Sequence, residues 1–247
     1  MIKKIIVFFF ILCAACQTTK IKEDTYKIAT SSPELGSIGQ SQKNYKRENS
    51  FAERTLPKLE NKIRITIGIV PFNRKLNKVY KSKAKYNQNQ TKVTYIDSLP
   101  NKPELATIKI LDINGLVNEL NAPYNADVFR LLRDTENSEM VTSIAVSLSI
   151  DEITKIRQAD AYYLVNSQEK KYTIALYKTG KKTETIDISQ ESIVGYQTSK
   201  FCWASNQKRQ WYIADIVQGN TNCKGNTKSI PEDKKNKSLF DMHRKFV

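Results

Sequence analysis

Few side chains in this sequence are suited to catalysis. Its one histidine, His243, lies in a polar stretch near the C-terminus, so no Ser-His-Asp or Cys-His arrangement and no histidine-rich zinc site is available. Ser-x-x-Lys segments begin at Ser82 and Ser205, and a Lys-Thr-Gly triplet begins at Lys178. Short matches of this kind arise by chance in a lysine-rich chain, and we interpret Lys-Thr-Gly as a hairpin turn.

Carboxylates offer another route to an enzyme. Asp112, Asp127 and Asp160 belong to an acidic middle part of the chain, and paired carboxylates about 5–9 Å apart hydrolyse glycosidic bonds. Helix capping is the simpler role for Asp112. The sequence therefore favours a non-enzymatic binding role. A carboxylate-based hydrolase of cell-wall or glycan substrates is the alternative, and no metal or cofactor site is predicted.

The charge of the chain is strongly uneven. The net charge of +15 divides into +11 over residues 41–92, −6 over residues 93–169 and +8 over residues 170–247, with +2 before them. Basic ends attract anionic surfaces such as lipid headgroups or acidic glycans, and salt weakens that attraction. Lysine supplies most of the positive charge, and the arginine forks that read base edges are few, so we predict no nucleic-acid partner.

Two binding surfaces are predicted from composition. Residues 73–92 contain seven basic residues and no acidic one; we interpret them as a basic loop whose contact residues are Lys78, Lys81, Lys83 and Lys85. The second surface is a hairpin over residues 196–212, in which basic side chains are interleaved among aromatic ones. Aromatic side chains interleaved with cations are frequent at binding hot spots, but they also pack in cores. Its candidate residues are Trp203, Arg209 and Trp211.

The N-terminus carries an export signal. Lys3 and Lys4 precede eight apolar residues, 5–12, which are too few to span a bilayer as a helix. Small residues then lead to Cys16. This pattern resembles the lipobox of bacterial lipoproteins, although Cys13 stands where that family usually has leucine. The resemblance covers only the first 16 residues; an ordinary secretory signal is the alternative.

The lipoprotein resemblance implies a location and a modification. Residues 1–15 would be the signal peptide, and Cys16 would carry the lipid that anchors the chain to the membrane. In many Gram-negative lipoproteins, a residue other than Asp after the cysteine implies sorting to the outer membrane, and Gln17 fits. The expected location is thus the cell envelope, on the periplasmic or the surface side of the outer membrane. The expected partners are an envelope protein complex or an anionic envelope glycan or lipid.

Cysteine usage agrees with export. Removal of Cys13 with the signal and acylation of Cys16 leave Cys202 and Cys223. An even number of cysteines in an exported chain predicts a disulfide, which would stabilise the fold by about 3 kcal/mol. Two unpaired thiols are the alternative.

Hydrophobic patterning predicts the organisation of the chain. We expect a disordered tether over residues 16–60, one domain over residues 61–224 and a polar tail over residues 225–247. Isoleucines alternate with other residues from Ile63 to Ile69, which indicates a strand, and residues 149–152 match a helix capping box. Further short strands are predicted at residues 92–97, 106–111, 141–148 and 161–167. An antiparallel meander is predicted to follow at residues 171–178, 182–188, 194–204 and 210–218. The predicted fold class is α+β: an antiparallel sheet, two or three short helices clustered in the middle of the chain, and one disulfide.

Overall fold

A computed structural model describes residues 18–28, 32–43, 49–84, 93–98, 100, 102–167, 171–219 and 221–231. Among the residues named above, Lys3, Lys4, Cys13, Cys16, Gln17, Lys85 and His243 lie outside these ranges. The elements and contacts given below belong to the described residues.

One antiparallel sheet dominates the fold. Its strands are β1 (Thr18–Ile21), β2 (Asp24–Lys27), β3 (Ile38–Lys43), β4 (Asn49–Thr55), β5 (Ile63–Pro71), β6 (Glu104–Ile110), β7 (Glu139–Val146), β8 (Ala161–Asn166), β9 (Tyr172–Lys178), β10 (Lys181–Asp187), β11 (Ile193–Ser205) and β12 (Trp211–Gln218). Their order is β1-β2-β11-β7-β6-β5-β8-β9-β10, with β12 beside β11 and the β3–β4 hairpin beside β7.

Four helices accompany the sheet in the described part of the chain. They are α1 (Arg74–Ala84), α2 (Ile113–Asn121), α3 (Ala126–Asp134) and α4 (Ile150–Gln158). Asp112 caps α2, and Ser149 with Glu152 forms the predicted capping box of α4. The predicted antiparallel sheet and the disulfide are confirmed. The helices are not clearly clustered in the middle, because strands β6 and β7 separate α1, the α2–α3 pair and α4.

Helices α2, α3 and α4 cover one face of the sheet. Alternate residues of the central strands point to this face and form the larger core, represented by Ile65, Ile108 and Ile144. Leu116, Leu120, Leu132, Ile153 and Ile156 of the three helices pack against it. The period-two pattern of β5 thus buries one side of the strand, as the sequence predicts.

The opposite face is covered by α1 and the N-terminal hairpin. Strand residues next in sequence to those of the larger core, such as Leu105, Ala145 and Val194, point to this opposite face. They form a second core with Ile21, Tyr26, Phe72, Leu76 and Tyr80. The N-terminal hairpin packs closely against β11 at Gly195. A Cβ at that position would lie only 3.1 Å from the Cβ of Tyr26. Four strands, β1–β4, therefore occupy the stretch for which a disordered tether was expected. Each buries only a few apolar side chains, which explains why periodicity did not reveal them.

A buried carboxylate joins the loop before β5 to the helical layer. Glu119 of α2 is 2% exposed. Its oxygens accept hydrogen bonds from the backbone N–H of Glu60 (2.6 Å), the side-chain amide of Asn61 (2.7 Å) and the hydroxyl of Tyr124 (2.8 Å). Asn125 holds the same loop by bonding both the N–H and the carbonyl of Lys58, each at 2.8 Å. The loop is thereby fixed through polar bonds, which compensate for the burial of the charge.

We predict that Glu119→Gln lowers the free energy of unfolding by roughly 1–3 kcal/mol. The amide nitrogen of glutamine would face N–H and O–H donors that now bond a carboxylate, leaving buried donors without acceptors. Urea denaturation measures the change. The matched control is Glu184→Gln, whose exposed ion pair with Lys155 spans 3.3 Å and should contribute under about 1 kcal/mol. Equal losses in both variants would contradict the structural role of Glu119.

Candidate functional site

A disulfide ties the C-terminal segment to the longest strand. Cys202 of β11 is bonded to Cys223. Trp203 and Lys228 also exchange two backbone hydrogen bonds, of 2.7 and 2.8 Å. We call residues 221–231 the strap. The predicted polar tail from residue 225 thus begins, over its described part, as a segment held along β11.

The strap forms one wall of a cleft of about 650 Å³, which we call the strap cleft. Residues 229–231 lie on this wall, and the loop between α3 and β7, residues 135–138, lies on the other. Leu132, Phe201 and Trp203 contribute the apolar part of the lining. Charged side chains of both signs, Glu136, Glu139 and Lys200, contribute the polar part. A cleft of this size with mixed lining is suited to binding a ligand or a segment of a partner.

A half-buried ion pair stands at the sheet end of this cleft. Lys27 of β2 donates hydrogen bonds to Thr198 Oγ1 (2.9 Å) and Ser41 Oγ (3.0 Å), and its Nζ lies 3.4 Å from Glu139 Oε2. Ser41 in turn donates to the same carboxylate oxygen at 2.6 Å. These bonds connect β2, β3, β7 and β11. The register of β11 on β7 places Lys200 directly opposite Glu139.

The predicted basic loop is largely a helix. Residues 74–84 form α1, on which Lys78 and Lys81 are exposed, whereas Lys85 lies outside the described residues. Lys83 does not belong to this surface, because it is 2% exposed. It lies on the inner side of α1, seven residues after Leu76, and its Nζ donates to Ser32 Oγ and to the carbonyl of Ile193. Burial lowers the pKa of Lys83 to about 8.

The predicted aromatic surface is also partly internal. Trp203 is 3% exposed and packs edge-to-face on Phe129 with ring centroids 5.5 Å apart. Trp211 is half-buried against the larger core. Arg209 is exposed in the turn before β12, with φ of 59°. The structure thus favours core packing for Trp203, with its edge at the strap cleft, and does not present the three residues as one stacking platform.

The three carboxylates considered for hydrolysis have separate structural roles. Asp112 accepts the N–H of Gly115 at 2.8 Å, and Asp160 accepts the N–H of Thr179 at 2.7 Å. Asp127 lies 3.5 Å from Arg130 on the exposed surface of α3. Within the described ranges there is no group of three or more histidine, cysteine or acidic residues placed to hold a metal ion. No helix in those ranges is long and apolar enough to cross a membrane.

Sequence reasoning missed Lys27, Ser41, Glu139 and Lys200. Lys27 and Ser41 fall in the stretch interpreted as a tether. Glu139 and Lys200 are 61 positions apart in the sequence and meet only through the register of β7 and β11. The one available signal was the run of four polar residues from Gln197 to Lys200, between Tyr196 and Phe201 in β11. No family model, curated protein or solved structure matches this chain.

We predict that the double variant Cys202→Ala, Cys223→Ala loses about 3 kcal/mol of unfolding free energy, because the unfolded chain regains the entropy of a loop of this size. Release of the strap should also expose Trp203, which shifts its fluorescence to longer wavelength. Urea denaturation monitored by fluorescence tests both effects. Reduction of the wild-type protein is the control and should produce the same shift. An unchanged spectrum would contradict the strap as the wall that covers Trp203.

We predict that Lys83→Met stabilises the protein at pH 7 by up to about 3 kcal/mol. Lys83 titrates near 10.5 when unfolded and near 8 when folded. Between these values the unfolded state binds more protons, so wild-type stability rises with pH and is lowest below about pH 8. Urea denaturation from pH 7 to pH 9.5 should show that rise in the wild type and in the exposed-site control Lys78→Met. A similar rise in Lys83→Met would contradict the assignment.

Proposed function

We propose that this chain is an exported lipoprotein, anchored by lipid on Cys16, whose domain is a non-enzymatic binding module of the bacterial envelope. The partner we infer is an envelope protein whose segment occupies the strap cleft. One observation carries the proposal: a wall of the cleft is held to the sheet by the Cys202–Cys223 disulfide. The exposed ends of Glu136 and Lys200 offer groups of both signs, which suits a polypeptide segment better than a uniformly charged polymer.

The disulfide supports the exported location. Disulfides persist in oxidising compartments such as the periplasm and the cell surface. The bond would support the proposed site, because it holds against β11 the strap whose residues 229–231 line the cleft. A fold with such a bond fits a chain whose first 16 residues resemble a lipoprotein signal, and the residue after Cys16 is Gln17, which supports outer-membrane sorting.

The start of β1 supports a position close to the bilayer. Strand β1 begins at Thr18, two residues after Cys16, and two residues span at most about 7 Å. An anchor at Cys16 would therefore hold the sheet edge near the lipid headgroups. Helix α1 packs beside β1, and Leu76 and Ile21 belong to the same core, so the two elements would lie at the same height.

The exposed side of α1 is basic. Lys75, Lys78 and Lys81 lie on it, and no acidic residue occurs in the helix. Arg74 is paired with Asp97 at 2.7 Å and contributes less. Lysines beside a lipid anchor strengthen membrane attachment by about 1 kcal/mol each on anionic lipid. We therefore propose that α1 faces the membrane and leaves the strap cleft for the protein partner.

The hydrolase has less support. Asp112 caps helix α2, Asp160 accepts a hydrogen bond from the turn after β9, and Asp127 is paired with Arg130 on α3. A glycosidase needs two of them facing one substrate bond.

Palmitate labelling tests the anchor. Wild-type protein expressed in a Gram-negative host should incorporate labelled palmitate and sediment with the outer membrane, because acylated Cys16 is the attachment point. Cys16→Ser should lose the label, whereas Cys13→Ser, the matched control, should keep it. Label retained by Cys16→Ser would refute the proposed lipidation site.

Vesicle binding tests the orientation of α1. The chain beginning at residue 17 should bind phosphatidylcholine vesicles that contain 30% phosphatidylglycerol, and substitution of Lys75, Lys78 and Lys81 by Gln should weaken binding roughly 10- to 100-fold. The control replaces Lys178, Lys181 and Lys182, which are exposed at the opposite edge of the sheet, and removes the same charge. Equal weakening in both variants would mean that net charge alone drives binding.

A further inference from the structure

A second pocket, of about 190 Å³, adjoins the strap cleft and shares Glu139 and Lys200 with it. Its other lining residues include Thr25, Lys27, Gln197 and Gln218. We call it the donor pocket. Gln197 is 7% exposed, so the pocket includes a polar side chain held in the interior of the fold.

A relay of hydrogen bonds fixes the direction in which the two glutamines point. Lys109 Nζ donates to Gln218 Oε1 at 3.0 Å, Gln218 Nε2 donates to Gln197 Oε1 at 2.8 Å, and Gln197 Nε2 donates to the carbonyl of Thr25 at 3.0 Å. An ammonium group cannot accept a hydrogen bond and a carbonyl cannot donate one, so both amides have only one possible orientation. Each amide nitrogen carries a second N–H that the relay does not use.

The charges around the pocket are mainly positive. Lys27 and Lys200 line it, and Lys109 bonds the lining residue Gln218. The single carboxylate, Glu139, already interacts with Lys27 at 3.4 Å and Ser41 at 2.6 Å. Two oriented amide N–H groups and an excess of ammonium groups complement a ligand group that has several acceptor oxygens and negative charge.

The position of the pocket indicates the source of that group. Lys27 of β2 is paired with Thr18 of β1, and paired strands lie about 5 Å apart. Thr18 follows Cys16 by two residues. A lipid on Cys16 would therefore place the donor pocket at the surface of the bilayer, where phosphate groups are abundant. The inference rests on the proposed function for this placement, but the chemistry of the pocket does not depend on it.

We propose that the donor pocket binds the phosphate of a membrane lipid headgroup. The amide N–H groups of Gln197 and Gln218 bond the phosphate oxygens, and Lys200 balances their charge. The pocket is larger than a phosphate group and has room for the glycerol to which the phosphate is attached. Headgroup binding would fix the rotation of the domain about its anchor and so determine where the strap cleft points.

The test uses the ¹⁵N-labelled chain beginning at residue 17, which contains the whole described structure. Glycerol 3-phosphate is the soluble probe, and the side-chain NH₂ signals of Gln197 and Gln218 are the readout. Vesicles of phosphatidylcholine with 10% phosphatidic acid supply the phosphate in a membrane. Vesicles with the same charge from oleate supply a carboxylate instead. We expect both glutamine signals to shift, and binding to phosphatidic acid to exceed binding to oleate at least fivefold.

Two pairs of variants separate the pocket from general electrostatics. Gln218→Glu retains a partner for Lys109 but replaces the donor amide by a carboxylate, and should weaken both phosphate probes at least tenfold. Gln207→Glu, in the exposed turn before β12, adds the same charge and should change affinity less than twofold. Lys200→Ala and Lys208→Ala form the second pair. Backbone amide spectra verify that each variant is folded.

Each other result overturns a defined part of the proposal. Unshifted glutamine signals at saturating glycerol 3-phosphate would refute the pocket. If a variant and its control weakened phosphate binding equally, net charge alone would explain the binding. Equal binding to oleate vesicles would refute selectivity for phosphate, and binding of glycerol 3-phosphate without binding of phosphatidic acid vesicles would refute the lipid source. None of these results bears on palmitate labelling of Cys16, so failure of the anchor is recognised separately.

Discussion

The pairing of β11 with β7 is the contact on which the other parts of the structure depend. It runs from Ile193–Val146 to Lys200–Glu139, and register shifts at two points let the strands twist past each other. β11 has 13 residues and β7 has 8, so β11 extends beyond its partner. The extension pairs with β12 and holds the strap through Cys202 and Trp203. Both pockets therefore occur where β11 leaves β7.

Glu119 and Lys83 are both buried, and the fold compensates the free-energy cost of burying a charged group differently in each case. Glu119 is surrounded by N–H and O–H donors from three residues, so its charge is compensated by bonds that also fix a loop. Lys83 donates to a hydroxyl and a carbonyl, which are neutral acceptors, and burial lowers its pKa. Glu119 therefore supports the packing of α2, whereas Lys83 is tolerated where α1 meets the start of β11.

Local signals predicted several regular elements from residue 63 onward. The alternation at Ile63–Ile69, the capping box before α4 and the four late strands all occur close to their predicted positions. Strands β1–β4 were not predictable, because each buries too few apolar residues for a periodic signal, and α1 was hidden by its lysines. The inward direction of Lys83 and the pairing of Lys200 with Glu139 depend on tertiary packing and register, which no local pattern reports.

The short sequence separation between Cys16 and β1 limits what a lipid on Cys16 could do. A long disordered tether would let the domain rotate freely and reach a partner far from the membrane. Strand β1 begins at Thr18 and pairs with β2, so the link to Cys16 is too short for free rotation or for a long reach. A lipid on Cys16 would therefore restrict the orientation of the sheet as well as its location. Rotation about a single short link is then restrained only by further contacts with the bilayer. The lysines of α1 and the donor pocket are the two surfaces near β1 with the charge to make such contacts. A fixed rotation would present the strap cleft, which adjoins the donor pocket along β11, in one direction to its partner.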